Sequence, residues 1–258
     1  MSVVVITGAS RGIGLATTSF LLKTFEAAVI AISRTRSSEL NALSNEHPET
    51  LQIIQCDRTD ELAFTNAIES APAKYGRLDA LILNAATLDP LTRIGSTDAP
   101  LDAWRAHFEV NVYSLVTALK AATPSLRESP NGGKVIFVSS GAAAGGIAGW
   151  GPYNASKAAM NSLNRTYATE EKGRIVSIAV RPGKVDTSMQ GEIRERGGVH
   201  MAPDVHELFI REKKDGQLVR PEDPGHVIAA LAVNGPRSLS GEFVSWDDER
   251  CREFRRPA

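Results

Sequence analysis

Short apolar runs alternate with helical patterns along almost the whole of this chain. The first run, Val3–Thr7, is β-branched nearly throughout, and residues 12–23 after it space their apolar side chains at helical intervals. Apolar runs without in/out alternation indicate strands buried on both faces, and helical crossovers indicate parallel pairing. The alternation therefore predicts an α/β fold with helices on both faces of a parallel sheet.

The later elements continue this alternation of strands and helices. Further strands are predicted at residues 28–32, 51–54, 78–83, 135–138, 175–180 and 242–244. Further helices are predicted at residues 39–45, 61–74, 101–126, 153–169 and 224–233. This pattern predicts a Rossmann-type, doubly wound sheet of seven strands. Since 258 residues with 42% hydrophobic side chains suffice for one such core, we expect a single domain, 1–258.

Residues 187–219 do not follow the alternation of strands and helices. They mix charges with several glycines and show only weak helical periodicity. We expect an insertion that forms a loop over the substrate.

The composition narrows the class of partner. A net charge of −1, from 29 basic and 30 acidic residues, gives no field that would recruit nucleic acid or an anionic membrane, so small molecules are the expected partners. The apolar start is too short for a signal peptide or a membrane span. Cys56 and Cys251 are far apart, and no Cys/His spacing or H-E-x-x-H motif indicates a metal. Reduced thiols suit a cytoplasmic protein.

A glycine cluster joins the first strand to the first helix. Its spacing, G-x-x-x-G-x-G, lets the backbone turn sharply and approach a pyrophosphate at a helix N-terminus. The strand before it and the helix after it make dinucleotide binding the preferred interpretation, and an ordinary βα turn that needs small residues is the alternative. The candidate contacts are Gly8, Ser10, Arg11, Gly12, Ile13 and Gly14.

The residues at the end of the second strand indicate which nucleotide is expected. An acidic residue there would accept the 2′-hydroxyl of NAD, but the sequence has Ser33 and Arg34. Arg34 and Arg11 can reach one point from neighbouring loops, which suits a 2′-phosphate. We therefore expect NADP(H) rather than NAD, the alternative being that both arginines are merely solvated.

Two further segments follow strands at the same predicted edge. Asp57, followed by Arg58, could accept a hydrogen bond from an adenine amino group or could equally cap a helix. Asn84 and Ala85 place an amide and a small side chain at the edge where open parallel sheets bind ligands.

A phenol and an amine are spaced four residues apart after the fifth strand. Tyr153 and Lys157 fall on one helical face, so they can share a cavity. A nearby cation stabilises phenolate, so we expect Lys157 to lower the pKa of Tyr153. Ser140 emerges at the same edge, where its hydroxyl could hold a substrate carbonyl. Asn111 lies among apolar helix residues and either anchors a water leading to Lys157 or makes a plain packing hydrogen bond.

Together these motifs resemble the classical short-chain dehydrogenase/reductase family across essentially the whole chain. The matches, in order, are Thr7-Gly8, Asn84-Ala85, Asn111, Ser140, Tyr153, Lys157 and the segment Arg181-Pro182-Gly183-Lys184-Val185-Asp186-Thr187. The departures from the family pattern are Ala86, where glycine is usual, and Arg58, where an apolar residue is usual.

The resemblance implies roles for these residues. Tyr153 would donate a proton, Ser140 would polarise the carbonyl, Lys157 would bind the nicotinamide ribose, and Asn111 would maintain a proton relay. Further cofactor contacts would come from Pro182, Gly183, Val185 and Thr187, the last two at the nicotinamide end. The hydride would be the pro-S hydride of NADPH.

Four segments, at residues 139–142, 149–153, 185–190 and 240–244, resemble the branch of the family that holds sepiapterin reductases and fungal benzil reductases. That likeness implies an NADPH-dependent reductase of an α-diketone such as benzil, with Trp150 and Met189 as apolar walls, although both could be simple core residues. A pterin side-chain reductase is the alternative, in which Asp247 or Asp248 would anchor the pterin unless both are solvated. A non-catalytic NADP(H)-sensing protein is the alternative of another class. The family also implies a homo-oligomer, a dimer or tetramer, paired through the helices at residues 101–126 and 153–169.

Overall fold

The computed structural model describes residues 1–257, which form one sheet of seven parallel strands in the order β3-β2-β1-β4-β5-β6-β7. The strands are β1 (Val3–Thr7), β2 (Ala28–Ser33), β3 (Leu51–Gln55), β4 (Ala80–Leu83), β5 (Gly133–Val138), β6 (Ile175–Arg181) and β7 (Phe243–Ser245). The strand order changes direction between β1 and β4, and open α/β sheets bind ligands beyond the carboxyl ends of the strands at such a point. The predicted seven-stranded, doubly wound sheet is confirmed.

Nine α-helices connect and cover these strands within the described residues. They are α1 (Gly12–Lys23), α2 (Ser38–Glu46), α3 (Glu61–Tyr75), α4 (Leu101–Phe108), α5 (Ser114–Arg127), α6 (Gly151–Glu170), α7 (Ser188–Arg196), α8 (Pro203–Lys214) and α9 (Glu222–Asn234). None of the helices in residues 1–257 combines the length and apolarity that a bilayer crossing requires.

Most strand positions are apolar because each face of the sheet has its own core. On β1, Val4 and Ile6 pack on one face with residues of α1 and α9. Val3 and Val5 point to the other face and pack with residues of α3 and α5. Side chains alternate between faces along a strand, so a strand covered on both sides is apolar at most of its positions.

The helix predicted at residues 101–126 is interrupted. A π-helical turn, Glu109–Tyr113, separates α4 from α5. This wider turn contains Asn111, whose buried amide hydrogen-bonds the backbone of Thr87. Single π turns inside α-helices are frequent at functional sites.

Residues 187–219 are more helical than their sequence indicates. They form α7 and α8, and few of their side chains are buried, among them Ile193 and Phe209. With so few apolar positions, the helical stripe is hard to recognise in the sequence. Two ion pairs attach α8 to the segment after β6: Lys184 to Glu212 at 2.5 Å and Lys213 to Asp186 at 2.6 Å.

Candidate functional site

The glycine loop forms a cradle that side chains would fill. A Cβ atom on Gly14 would lie 2.1 Å from the carbonyl oxygen of Gly8, and one on Gly8 would lie 2.9 Å from Cα of Ala85. Gly8 also has a φ of +70°, which favours glycine. Gly12 lies against Thr187, since its Cβ would be 3.0 Å from the Thr187 methyl carbon. The backbone of this loop is therefore open at the N-terminus of α1, as a pyrophosphate requires.

Asn84 holds this loop in place. Its side-chain nitrogen donates to the carbonyl oxygens of Thr7, at 3.0 Å, and Gly8, at 3.1 Å. In return, the Thr7 hydroxyl oxygen accepts from the backbone N–H groups of Asn84 and Ala85, each at 3.1 Å. The amide nitrogen of Asn84 is thus committed to the loop, a positioning role that the sequence does not reveal.

The end of β2 carries no carboxylate. Ser33 is buried, and its hydroxyl donates to the carbonyl oxygen of Thr35 at 2.7 Å. Arg34 and Arg11 are exposed, and within residues 1–257 neither side chain forms an ion pair or a hydrogen bond. The backbone N–H of Gly8 donates to the carbonyl oxygen of Ile32 at 2.8 Å, so the glycine loop lies beside the end of β2. The end of β2 therefore has two exposed guanidinium groups, and no carboxylate, next to the glycine loop.

Asp57 does not cap the helix that follows it, and Arg58 reaches a neighbouring strand end. One carboxylate oxygen of Asp57 accepts from the backbone N–H of Thr59 at 3.0 Å, while α3 is capped by Asp60, so the helix-cap interpretation of Asp57 is wrong. Arg58 donates from its guanidinium to the carbonyl oxygen of Ala85 and so crosses from the end of β3 to the end of β4. Burial, with a smaller effect of the Arg34 charge, lowers the Arg58 pKa to about 10.

Tyr153, Lys157 and Ser140 converge at the carboxyl edge of the sheet. Tyr153 and Lys157 project from the first turns of α6, and the Lys157 ammonium lies 5.7 Å from the centroid of the Tyr153 ring. Ser140 follows β5 and caps the short 3₁₀ turn Gly141–Ala143, its hydroxyl oxygen accepting from the N–H of Ala142 at 3.2 Å. The Ser140 hydroxyl is close enough to the phenol to act against the rise in the Tyr153 pKa.

Burial dominates the ionisation of the pair. It raises the pKa of Tyr153 to about 12, with the nearby Ser140 hydroxyl acting against it. It lowers the pKa of Lys157 to about 7, and the positive charge of Arg58 acts in the same direction. The Lys157 ammonium donates to the carbonyl oxygen of Val138 at 2.7 Å. The expected lowering of the Tyr153 pKa by Lys157 is therefore not seen, because desolvation of both groups outweighs their attraction.

The side chain of Asn111 makes packing hydrogen bonds. Its oxygen accepts from the backbone N–H of Thr87 at 2.9 Å, and its nitrogen donates to the Thr87 carbonyl oxygen at 2.8 Å. It has no hydrogen bond to Lys157 among the described residues, so a relay through this side chain is not made directly.

Asn111 also contacts a residue that the sequence interpretation overlooked. The nitrogen of its amide lies 2.9 Å from Nε2 of His107, which is 1% exposed. No motif in the sequence singles out His107, yet the spacing H-x-x-x-N puts His107 and Asn111 on one helical face.

The segment after β6 closes one side of the site. Pro182 is buried, and Gly183 has a φ of +81°, where a side chain would also meet Trp246 at 3.2 Å. Val185 pairs with Val219, and Thr187 lies against Gly12 of the glycine loop. The loop predicted to contact the nicotinamide end is thus at the same edge as the glycine cradle.

An apolar cluster borders Tyr153. The Trp150 ring stands perpendicular to that of Tyr153, with 5.6 Å between centroids, and lies 5.6 Å from the ring of Phe209 in α8. Met189 of α7 is partly buried against the same cluster. The other buried members are Leu88, Leu91, Ala142, Ile193 and Met201. Trp150 and Met189 therefore belong to a wall that α7 and α8 complete.

Asp247 and Asp248 are engaged near the end of the chain. Asp248 caps the 3₁₀ turn Glu249–Phe254, and its carboxylate binds the Arg250 guanidinium at 2.9 and 3.0 Å. The hydrogen bond from Arg250 lowers the Asp248 pKa to about 2. Asp247 accepts from the hydroxyl of Ser245 at 2.5 Å. This arrangement favours a structural role for both carboxylates.

Comparison with known proteins assigns a family to this arrangement. The family model for short chain dehydrogenases matches residues 2–198. An uncharacterized oxidoreductase of Schizosaccharomyces pombe is 41% identical over 245 residues, covering 95% of this chain and 96% of that protein. A benzil reductase of Saccharomyces cerevisiae, described as forming (S)-benzoin, is 34% identical over 255 residues, covering 96% of this chain and 97% of that enzyme.

A solved structure shares the fold closely. A short chain dehydrogenase/reductase from Saccharomyces cerevisiae superposes with a TM-score of 0.93 at 31% identity, covering 99% of this chain and 100% of the other.

Proposed function

Since the chain belongs to the short-chain dehydrogenase/reductase family, and to its fungal benzil reductase branch, we propose that it is an NADPH-dependent carbonyl reductase. The family establishes an oxidoreductase acting on an alcohol or carbonyl group, and the cofactor and substrate are our inference. The convergence of Tyr153, Ser140 and Lys157 beside the glycine cradle carries the proposal.

The bound NADPH would supply the hydride that reduces the carbonyl carbon, its pro-S hydride by analogy with the family. The chain would supply the proton and the orientation. With a pKa raised to about 12, the Tyr153 phenol holds its proton at neutral pH and can donate it to the carbonyl oxygen. The Ser140 hydroxyl would hold that oxygen beside the phenol. Lys157 would bind the nicotinamide ribose, and Asn111 would fix the helix turn behind it.

The preference for NADPH rests on the end of β2. No carboxylate is present there to accept a 2′-hydroxyl, and Arg34 and Arg11 have exposed guanidinium groups beside the glycine loop. Two such groups suit the charge and geometry of a 2′-phosphate. The glycine loop, the segment from Pro182 to Thr187, and Ser10, Ile13, Asp57 and Ala85 would complete the binding groove.

An α-diketone is the preferred substrate. The yeast relative reduces benzil, and the cluster around Trp150 and Met189 offers an apolar wall next to Tyr153. A pterin side-chain reductase is the second candidate within the family, but Asp248 is committed to Arg250 and so gives it little support. A nucleotide sensor without activity is the candidate of another class, and it leaves the phenol, hydroxyl and amine unexplained.

The cellular setting is also part of the proposal. Both cysteines are free and buried, which supports a cytoplasmic protein.

We also expect a homo-oligomer, a dimer or tetramer, formed through α5 and α6. Sedimentation analysis would test this expectation.

The deciding experiment is a carbonyl panel assayed with NADPH and with NADH. Benzil, an aliphatic α-diketone, sepiapterin and a simple monoketone form the panel. We expect the diketones to be reduced with NADPH much faster than with NADH. Reduction of sepiapterin alone would favour the second candidate, and activity on none of them with either nucleotide would overturn the proposal.

A further inference from the structure

His107 is fully enclosed at the end of α4, in contact with three parts of the site. Its Nδ1 lies 2.6 Å from the carbonyl oxygen of Asp89. Its Nε2 lies 2.9 Å from the Ser156 hydroxyl and 2.9 Å from the amide nitrogen of Asn111. The His107 ring also stands edge-on to the ring of Tyr153, with 6.4 Å between centroids.

These contacts assign the protons of the ring. A carbonyl oxygen only accepts, so the proton is on Nδ1, facing Asp89. An amide nitrogen only donates, so Nε2 must accept from Asn111. The Ser156 hydroxyl has one proton, and with Nε2 unprotonated it can direct that proton to Nε2 at 2.9 Å rather than to the carbonyl oxygen of Tyr153 at 3.0 Å. The neutral Nδ1–H imidazole therefore donates to the Asp89 carbonyl oxygen and accepts at Nε2 from Asn111 and Ser156.

The Asn111 amide cannot turn over to accommodate a charged ring. Its oxygen and nitrogen are both engaged by the backbone of Thr87, at 2.9 and 2.8 Å. Reversing the amide would break both bonds and leave buried backbone groups unpaired. Protonation of Nε2 would therefore set two donors against each other.

We propose that neutral His107 is a positioning residue that joins the π turn carrying Asn111 to the first turn of α6 carrying Tyr153 and Lys157. This inference rests on the proposed carbonyl reductase activity. The imidazole is only 1% exposed, and it would act by holding Asn111 and Ser156 at fixed distances. Ser156 lies between Tyr153 and Lys157 in sequence, so the link reaches the helix that presents both groups.

The surroundings of His107 keep the imidazole neutral. Burial is the main cause that lowers its pKa from the ordinary 6.5, and the charges of Lys157 and Arg58 act in the same direction. The Asp89 carbonyl and carboxylate oppose this, but the carboxylate is paired with Arg196 at 2.7 Å. Loss of the neutral form is thus expected only as the pH falls below 6.5.

A matched pair of variants separates positioning from packing. His107→Gln places an oxygen near the Nε2 position and can still accept from Asn111, whereas His107→Phe keeps the ring shape without an acceptor. We expect kcat of His107→Phe to fall roughly 10- to 100-fold, with NADPH affinity unchanged, while His107→Gln stays within about threefold of the natural enzyme. In the natural enzyme, kcat should fall at low pH as His107 becomes protonated. This fall should be absent in His107→Gln. A His107→Phe enzyme with normal kcat and an unchanged pH profile would overturn the inference.

Nitrogen-15 NMR of the His107 ring tests the link without any turnover. We expect Nδ1 to be protonated and Nε2 unprotonated at neutral pH, with the ring titrating below 6.5. The Nε2–H tautomer, or a charged ring at neutral pH, would overturn the inference even in an active enzyme. If no carbonyl is reduced but the Nδ1–H tautomer is found, the proposed function fails while the hydrogen-bond assignment stands.

Discussion

The ammonium nitrogen of Lys157 lies 5.7 Å from the centroid of the Tyr153 ring, on the same face of α6. Both groups are almost completely buried, and the ammonium has the Val138 carbonyl oxygen as a hydrogen-bond acceptor at 2.7 Å. A buried amine without a carboxylate partner destabilises the fold while it is charged. The chain therefore keeps an amine where folding alone would favour an apolar side chain, as is common at functional sites.

The unfavourable burial of the Lys157 charge predicts how stability depends on pH. The Lys157 pKa is about 7 in the fold and 10.5 ordinarily, so between these values the unfolded chain binds the extra proton. The free energy of unfolding should fall as pH falls through that range, by up to about 1.4 kcal/mol per pH unit from this group. Denaturant titrations of the nucleotide-free protein should show this slope, and Lys157→Met should lack it. An equal slope in both proteins would contradict the assignment.

The glycine cradle predicts a steric effect at Gly14. Gly14→Ala places a methyl group 2.1 Å from the Gly8 carbonyl oxygen, so the loop must shift. We expect a loss of about 1–3 kcal/mol in the free energy of unfolding and much weaker NADPH binding by titration calorimetry. Gly191→Ala in α7 is the control, since nothing lies within 4 Å of the added carbon, and it should stabilise the helix by about 0.5–1 kcal/mol. Similar NADPH binding by Gly14→Ala and Gly191→Ala would contradict the assignment of the glycine loop as the nucleotide site.

The arginine at the end of β2 predicts nucleotide choice. Arg34→Ala should weaken NADPH binding roughly tenfold or more, because a charge-assisted hydrogen bond contributes about 1.5–3 kcal/mol, and should leave NADH binding unchanged. Arg36→Ala is the control, since the Arg36 guanidinium donates instead to the Ile53 carbonyl oxygen at 3.1 Å. Equal weakening of both nucleotides would show that Arg34 does not recognise the 2′-phosphate.

Asp79 is a buried carboxylate at the amino-terminal edge of the sheet, opposite the candidate site. Its removal should lower stability without lowering turnover. Asp79 accepts from the Val3 N–H at 2.8 Å, from Arg77 at 2.6 Å and from Ser129 at 2.6 Å. Burial opposes its ionisation, but these bonds outweigh burial and hold its pKa below the ordinary 3.8. Asp79→Ala should lower the free energy of unfolding by about 2–4 kcal/mol at neutral pH.

The Asp79 contribution depends on pH in a defined direction. A carboxylate with a lowered pKa stabilises the fold above its ordinary pKa, so the difference between Asp79→Ala and the natural protein should shrink as pH falls below 3.8. Turnover per folded molecule should be unchanged. Exposed Asp102 supplies the control, and Asp102→Ala should leave stability nearly unaltered.

The sheet and the glycine loop could be predicted because their signals are local. A strand buried on both faces is mostly apolar, as β1 is from Val3 to Ile6, and a loop that meets a phosphate needs glycine at defined positions. The i, i+4 spacing of Tyr153 and Lys157 is equally local. Each of these features is determined by neighbours in sequence.

The remaining features depend on contacts between distant segments. His107 meets Asp89 and Ser156, which are 18 and 49 residues away, and Arg58 reaches Ala85, 27 residues away. Burial raises the Tyr153 pKa, and the apolar cluster around Tyr153 includes Ile193 of α7 and Phe209 of α8. These two helices carry too few apolar positions to be recognised in the sequence. No local pattern reports such contacts.

Substitution of Tyr153 by phenylalanine tests the central claim most directly. The variant removes the proton donor but keeps the ring that packs on Trp150. Carbonyl reduction should fall on the order of 100-fold or more, as expected for loss of a general acid, with NADPH affinity unchanged by fluorescence titration. Turnover of Tyr153→Phe at a rate near that of the natural enzyme would contradict the account.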